Sequence, residues 1–308
     1  MAESLRAEAT KLRESAHSIL DAASRLDHEA DVLDASSADS GLDALGELRG
    51  VKKSKLKVPA WPHFDEEVVS AVAATLRSGK PNQWGGKHVT AFADECAAYF
   101  GSKYAVANAN GSTALELAMK ALEVGPGDEV IVTPRSFIIS ATVPILSGAT
   151  AVFCDIDDTG NVTAELIKAE ITPKTKAVIV VHMGGHPCEM DEIVELCKEN
   201  NVYLVEDCSQ SHGAKYKGKH VGTFGQIGTW SCCQDKIMTT GGEGGICATD
   251  DEELFKKMWS YKDHGRSTYL KTAAEKKERK NLSAAHSNPP WNRSPPMHRS
   301  LYQVEAGI

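Results

Sequence analysis

The sequence predicts an α/β protein: a mostly parallel sheet sandwiched by helices, preceded by a heptad-repeat helix. Three observations predict it. From Trp61 onward, short apolar runs rich in β-branched residues alternate with stretches of helical periodicity. Before that, apolar residues recur every seven positions. The chain has 308 residues, 42% hydrophobic and 25% charged, which suits one large soluble domain with an appendage.

Taken in order, Leu5, Leu12, Ile19, Leu26 and Leu33 recur at a spacing of seven, and Ala9, Ala16, Ala23 and Ala30 fall four residues after the first four of them. This a/d pattern with a small-residue seam predicts a helix over 1–35, either in coiled-coil association through 5–33 or packed on its own domain. Residues 36–57 are Ser/Asp/Gly-rich, then basic at Lys52, Lys53, Lys55 and Lys57, and read as a linker. The main domain spans 58–270, with strands expected at 129–133, 149–156, 177–182, 202–207 and 227–232. Helices are expected at 113–123, 138–146, 163–171 and 189–200. The last segment, 271–308, is charged and then proline-crowded, which excludes regular helix and sheet near its end.

The net charge of −8 argues against nucleic acid or an anionic membrane as the main partner. No apolar run has transmembrane length, and the N-terminus lacks a basic-then-apolar leader pattern. Eight cysteines are scattered without zinc-ligand spacing, and the adjacent Cys232 and Cys233 are expected on opposite faces of a strand. Reduced thiols in a cytoplasm are the plain reading.

Chemistry concentrates around Lys236, in Trp230-Ser-Cys-Cys-Gln-Asp-Lys-Ile-Met-Thr-Thr-Gly-Gly-Glu-Gly-Gly245. A lysine that forms a Schiff base is activated by packing that disfavours its ammonium form, and the glycines let main chain approach a bulky cofactor. Asp207 closes the apolar run 202–207, either as the partner of a pyridine nitrogen or as a helix N-cap. Lysine and aspartate together point to pyridoxal phosphate, a lysine for the aldehyde and a carboxylate for the ring nitrogen. Gly111, Ser112 and Thr113 open a helix whose free amides and hydroxyls suit a phosphate, with Thr113 and Glu116 expected as its capping box. Ser231 adds a hydroxyl, Gln210 can reach a phenolic oxygen, and Phe137 either lies on the cofactor ring or joins the core. Asp235 either sits on the surface or tunes the charge of the lysine beside it. His212 reads as structural.

The order of phosphate loop, aromatic, Glu-Asp-x-x-Gln and Ser-x4-Lys-x3-Thr-Gly-Gly-Glu-Gly-Gly resembles the DegT/DnrJ/EryC1/StrS family of PLP-dependent sugar aminotransferases, over Trp61 to Arg266. The resemblance implies a fold type I large domain, a homodimer, and transfer of an amino group from glutamate to a nucleotide-linked keto-sugar. Such activity serves lipopolysaccharide or other amino-sugar biosynthesis. It implies that Lys236 binds the cofactor covalently and shuttles the proton. Asp207 would pair with the ring nitrogen, Gln210 with the ring hydroxyl, and Ser231, Ser112 and Thr113 with the phosphate, while Phe137 stacks on the ring. A lysine rather than a histidine at 236 favours transamination over dehydration. Relatives continue into a small C-terminal domain that this chain is expected to lack, and Asn292 and Arg293 stand adjacent instead of in the family's Asn-x-Arg order. The rival expectations are therefore a non-catalytic relative acting in assembly, or a dehydratase on a similar sugar.

Overall fold

A computed structural model describes residues 60–265. The expected heptad helix over 1–35, the linker over 36–57 and the segment 271–308 lie outside the described residues, as do Arg266, Asn292 and Arg293.

Two helices, α1 (Glu66–Arg77) and α2 (His88–Phe100), lead into β1 (Tyr104–Asn108) and α3 (Gly111–Ala121). Strand and helix then alternate through β2 (Glu129–Val132), α4 (Ile139–Leu146), β3 (Thr150–Phe153), α5 (Ala164–Glu170), β4 (Thr175–Val181), α6 (Met190–Glu199) and β5 (Tyr203–Asp207). A short hairpin, β6 (Lys215–Tyr216) with β7 (Lys219–His220), precedes β8 (Ile227–Ser231), β9 (Gly245–Thr249) and α7 (Glu252–Lys262). No described helix is long and apolar enough to cross a membrane.

Seven strands form one sheet in the order β1-β9-β8-β5-β4-β2-β3. The pairings from β3 across to β8 are all parallel, whereas β9 runs antiparallel to both of its neighbours. Alternate side chains of each buried strand feed two cores. Val178, Val180 and Leu204 pack with Phe100, Ile193 and Trp230 under α2, α5 and α6, while Ala177, Ile179 and Val205 pack with Leu115, Met119 and Met258 under α3, α4 and α7. Burial on both faces explains why these strands read as continuous apolar runs rather than alternating ones.

The mostly parallel, helix-covered sheet is as the sequence predicts, with local differences that include helices α1, α2 and α7 and the hairpin β6–β7, none of them among the expected elements. Strands β1 and β9 were not expected: Tyr104-Ala-Val-Ala-Asn108 is alanine-rich, and β9 opens on a glycine of the loop after Lys236. The run 149–156 pairs only over Thr150–Phe153, an edge strand whose Phe153 is 57% exposed. The run 227–232 ends its strand at Ser231. Helix α3 starts at Gly111, two residues before the expected start.

Candidate active site

The carboxyl ends of parallel strands are where such sheets collect ligands, because the helices that follow present their N-termini there. A cavity of about 330 Å³ lies at that edge, with Gly111, Ser112, Phe137, Asp207, Gln210, Ser231 and Lys236 among its lining residues. Sequence reasoning thus names seven residues that the fold brings to one place.

Thr113 is the correction. The N-cap of α3 is Asn110, whose Oδ1 accepts the Thr113 N–H at 2.9 Å, while Thr113 Oγ1 accepts the Asn110 N–H at 3.0 Å. The same hydroxyl donates within this knot, to Asn108 Oδ1 at 3.0 Å or Asn110 O at 2.8 Å. Both polar groups of Thr113 are spent on the cap, and neither is left for an anion. The expected capping box of Thr113 with Glu116 does not form, and Glu116 instead accepts the Tyr261 hydroxyl. An Asn three residues before Thr113 was the missed signal.

Gly111 fixes the approach of α3 to β8. A Cβ there would stand 2.6 Å from Ser231 Cβ, so only glycine lets the first amides of α3 lie beside the Ser231 side chain. Gly245 plays the matching part on β9, where a Cβ would meet Asn108 Oδ1 at 2.3 Å. Among the glycines after Lys236, this one accommodates protein main chain rather than a cofactor.

Asp207 ends β5, is 4% exposed, and accepts the Ser209 N–H on Oδ1 at 3.0 Å. It caps no helix. Burial pushes its carboxyl above the ordinary value of 3.8, opposed first by the hydrogen bonds from Ser209. Gln210 is oriented by the turn Met183–Gly185 after β4, where the Gly184 N–H donates to Gln210 Oε1 at 2.9 Å. Its carbonyl is used, so the amide N–H groups are the end available to an acceptor in the cavity. Phe137 is 70% exposed at the rim and belongs to neither core.

Lys236 is held differently from the apolar packing the sequence suggested. Its Nζ donates to Asp235 Oδ2 at 2.7 Å, and that hydrogen bond holds the Asp235 carboxyl below its usual range. Its main-chain carbonyl accepts the Trp61 indole N–H at 3.0 Å, a contact across 175 residues that no local pattern announces. All eight cysteines are free, and burial raises the Cys232 thiol to about 12.

His212 lies beside this group without joining it. Neither ring nitrogen reaches solvent or a hydrogen-bond partner; the nearby Ser231 main chain lies outside bonding geometry. Burial lowers its pKa to about 4. Its depressed folded value means the unfolded chain binds the extra proton first. Its contribution is therefore full above pH 6.5 and is lost as pH falls towards 4, by roughly 3 kcal/mol at most. Urea titrations across that window are expected to show a pH slope that His212→Phe flattens.

The family model of DegT/DnrJ/EryC1/StrS aminotransferases matches residues 62–286. The chain belongs to this family. The GDP-perosamine synthase of Escherichia coli O157:H7 is 42% identical over 185 residues, covering 60% of this chain and 50% of the relative. An aminotransferase structure from Psychrobacter cryohalolentis shares 52% identity with a TM-score of 0.68, covering 69% of this chain and 54% of that one. The PLP form of the putative sugar aminotransferase Spr1654 from Streptococcus pneumoniae matches at 29% identity and TM-score 0.64, covering 69% and 59%. The chain spans about half the length of the curated relatives it matches.

Family members and solved neighbours are PLP-dependent aminotransferases, and the donor set of the DegT/DnrJ/EryC1/StrS cavity fits that cofactor. A carboxylate disfavoured by burial calls for a cationic partner such as a protonated ring nitrogen. The glycine-permitted contact of α3 with Ser231 leaves helix-start amides and a hydroxyl that would suit a phosphate, and Lys236 would supply the amine.

Proposed function

We propose that this chain carries the cofactor half of an aminotransferase that moves an amino group from glutamate to a nucleotide-linked keto-sugar, in amino-sugar or surface-polysaccharide synthesis. The observation that carries it is the convergence of Lys236, Asp207, Gln210 and the Gly111–Ser231 contact on one cavity. The names of relatives support the substrate class: one is a GDP-perosamine synthase, another a UDP-N-acetyl-3-dehydro-alpha-D-glucosamine 3-aminotransferase.

When bound, pyridoxal phosphate supplies an electron sink for charge developing at the substrate carbon. Asp207 would hold the ring-nitrogen proton, and its low-dielectric site would make that contact worth more than an exposed carboxylate could. The Gln210 amide would donate to the ring oxygen, Ser112 and Ser231 would hold the phosphate at the start of α3, and Phe137 would cover the ring. Lys236 Nζ would move a proton to and from the donor carbon, and Asp235, which accepts from this amine at 2.7 Å, would hold it in place.

The eight free thiols support a cytoplasmic setting. The exposed apolar residues Phe137, which lines the cavity, and Ile138 beside it in sequence support the family's dimeric arrangement.

The test is transfer of label from 15N-glutamate to a GDP- or UDP-linked keto-sugar. Recovery of 15N in the sugar, with 2-oxoglutarate released in equal amount, is expected. Release of 2-oxoglutarate with no keto-sugar aminated would overturn the acceptor assignment.

A further inference from the structure

On the face of β5 opposite Asp207 lies a polar junction that the proposed chemistry does not use. Glu206 and His182 are both fully buried. Glu206 Oε1 accepts the Phe224 and Gly225 N–H groups at 2.7 and 2.6 Å, and Oε2 accepts the Gly222 N–H at 2.6 Å. The fourth donor is His182 Nε2, at 3.1 Å. His182 Nδ1 accepts the Cys188 N–H at 3.1 Å, which places the ring proton on Nε2 and aims it at the carboxylate.

The Cys208 thiol brings a third ligand-type atom within 4.8 Å, but this is no metal site. Both carboxylate oxygens and both imidazole nitrogens already have partners, and burial raises the thiol well above its ordinary value.

What the junction connects gives it a role. His182 follows β4, and its main-chain N–H also donates to the Asp207 carbonyl at 3.2 Å. Residues 222–225 are the lead-in to β8, the strand that delivers Ser231 and, five residues on, Lys236. Glu206 therefore joins β4, β5 and the entry to β8 at the level of Asp207. One carboxylate with four donors tolerates little displacement, because any shift strands a buried N–H.

We infer that Glu206, oriented by His182, is a positioning residue that sets the separation between Asp207 and the strand carrying Ser231 and Lys236. The inference rests on the reading of the cavity as a pyridoxal phosphate site. Glu206→Gln turns an NH2 group towards main-chain donors and breaks the junction without changing its volume. His182→Gln removes the ring that aims at it.

The test uses the full chain, with pyridoxal phosphate as the probe. It reads the dissociation constant and the pH at which the visible absorption of the bound cofactor titrates. Ile193→Ala, in the core under the same sheet face, is the control for destabilisation alone. With native circular dichroism retained, Glu206→Gln is expected to weaken binding roughly tenfold and to move the titration midpoint, as one displaced charge-assisted hydrogen bond would. His182→Gln shifts both in the same direction by less, and Ile193→Ala lowers only the melting temperature. Variants that lose thermal stability yet bind and titrate as wild type would reduce the junction to a structural one and overturn the inference. Should Glu206→Gln not fold, His182→Gln decides by the same two readings. A wild-type chain that takes up no pyridoxal phosphate would overturn the site reading itself, and this inference with it.

Discussion

Lys236→Ala is expected to abolish covalent retention of pyridoxal phosphate. After borohydride reduction, the wild-type chain should carry the cofactor on a peptide containing Lys236, and the variant should carry none. The effect is all-or-none because Lys262, the other described lysine whose amine burial activates, lowering it to about 8, is committed elsewhere. Its amine donates to Gln83 Oε1 at 2.6 Å and to Ala107 O at 2.7 Å. Folding should be little affected. The Lys236 side chain is 21% exposed, and its one ion pair is with Asp235, 64% exposed, of the kind worth about 1 kcal/mol or less. Intact mass and the melting temperature of the unloaded protein check the two halves of this expectation.

Asp207→Asn is expected to separate stability from chemistry. The amide keeps the shape and the acceptor for Ser209, but loses the charge. Burial raises the folded pKa of Asp207, so the folded chain binds its proton more readily than the unfolded one. The sign follows: this residue costs stability as pH rises through that raised value, and the cost is present in full above it. The unloaded Asn variant should therefore melt higher than wild type near neutral pH, with the gain fading in acid. Its first half-reaction with glutamate should slow by roughly 10²–10⁴-fold, the scale of removing one member of a buried charge pair, about 3–5 kcal/mol. A variant that is both less stable and equally fast would contradict the role given to Asp207.

The main sheet and most of the site were legible because their signals are local. Strands buried on both faces read as apolar runs, and Lys236, Asp207, Gln210 and Ser231 sit within short motifs at their ends. Thr113 was misplaced because hydroxyl residues serve caps and phosphates alike, and only the position of Asn110 distinguishes the two. Strand β9 was hidden by its glycine and β1 by its alanines, and the pairing of β1 with β9 joins residues over a hundred positions apart. The same distance concealed Trp61 on the Lys236 carbonyl and His182 on Glu206, contacts that exist only once the sheet is assembled. The ion pair of Lys236 with Asp235 could be read as adjacency in sequence, but not as a bond.

The most direct test of the central claim is the absorption spectrum of the purified chain with pyridoxal phosphate, before and after glutamate, beside Lys236→Ala. A visible band that requires Lys236 and bleaches when glutamate is added is the expected result. Absence of any Lys236-dependent band, or a band that glutamate leaves unchanged, would contradict the assignment of this cavity to amino transfer.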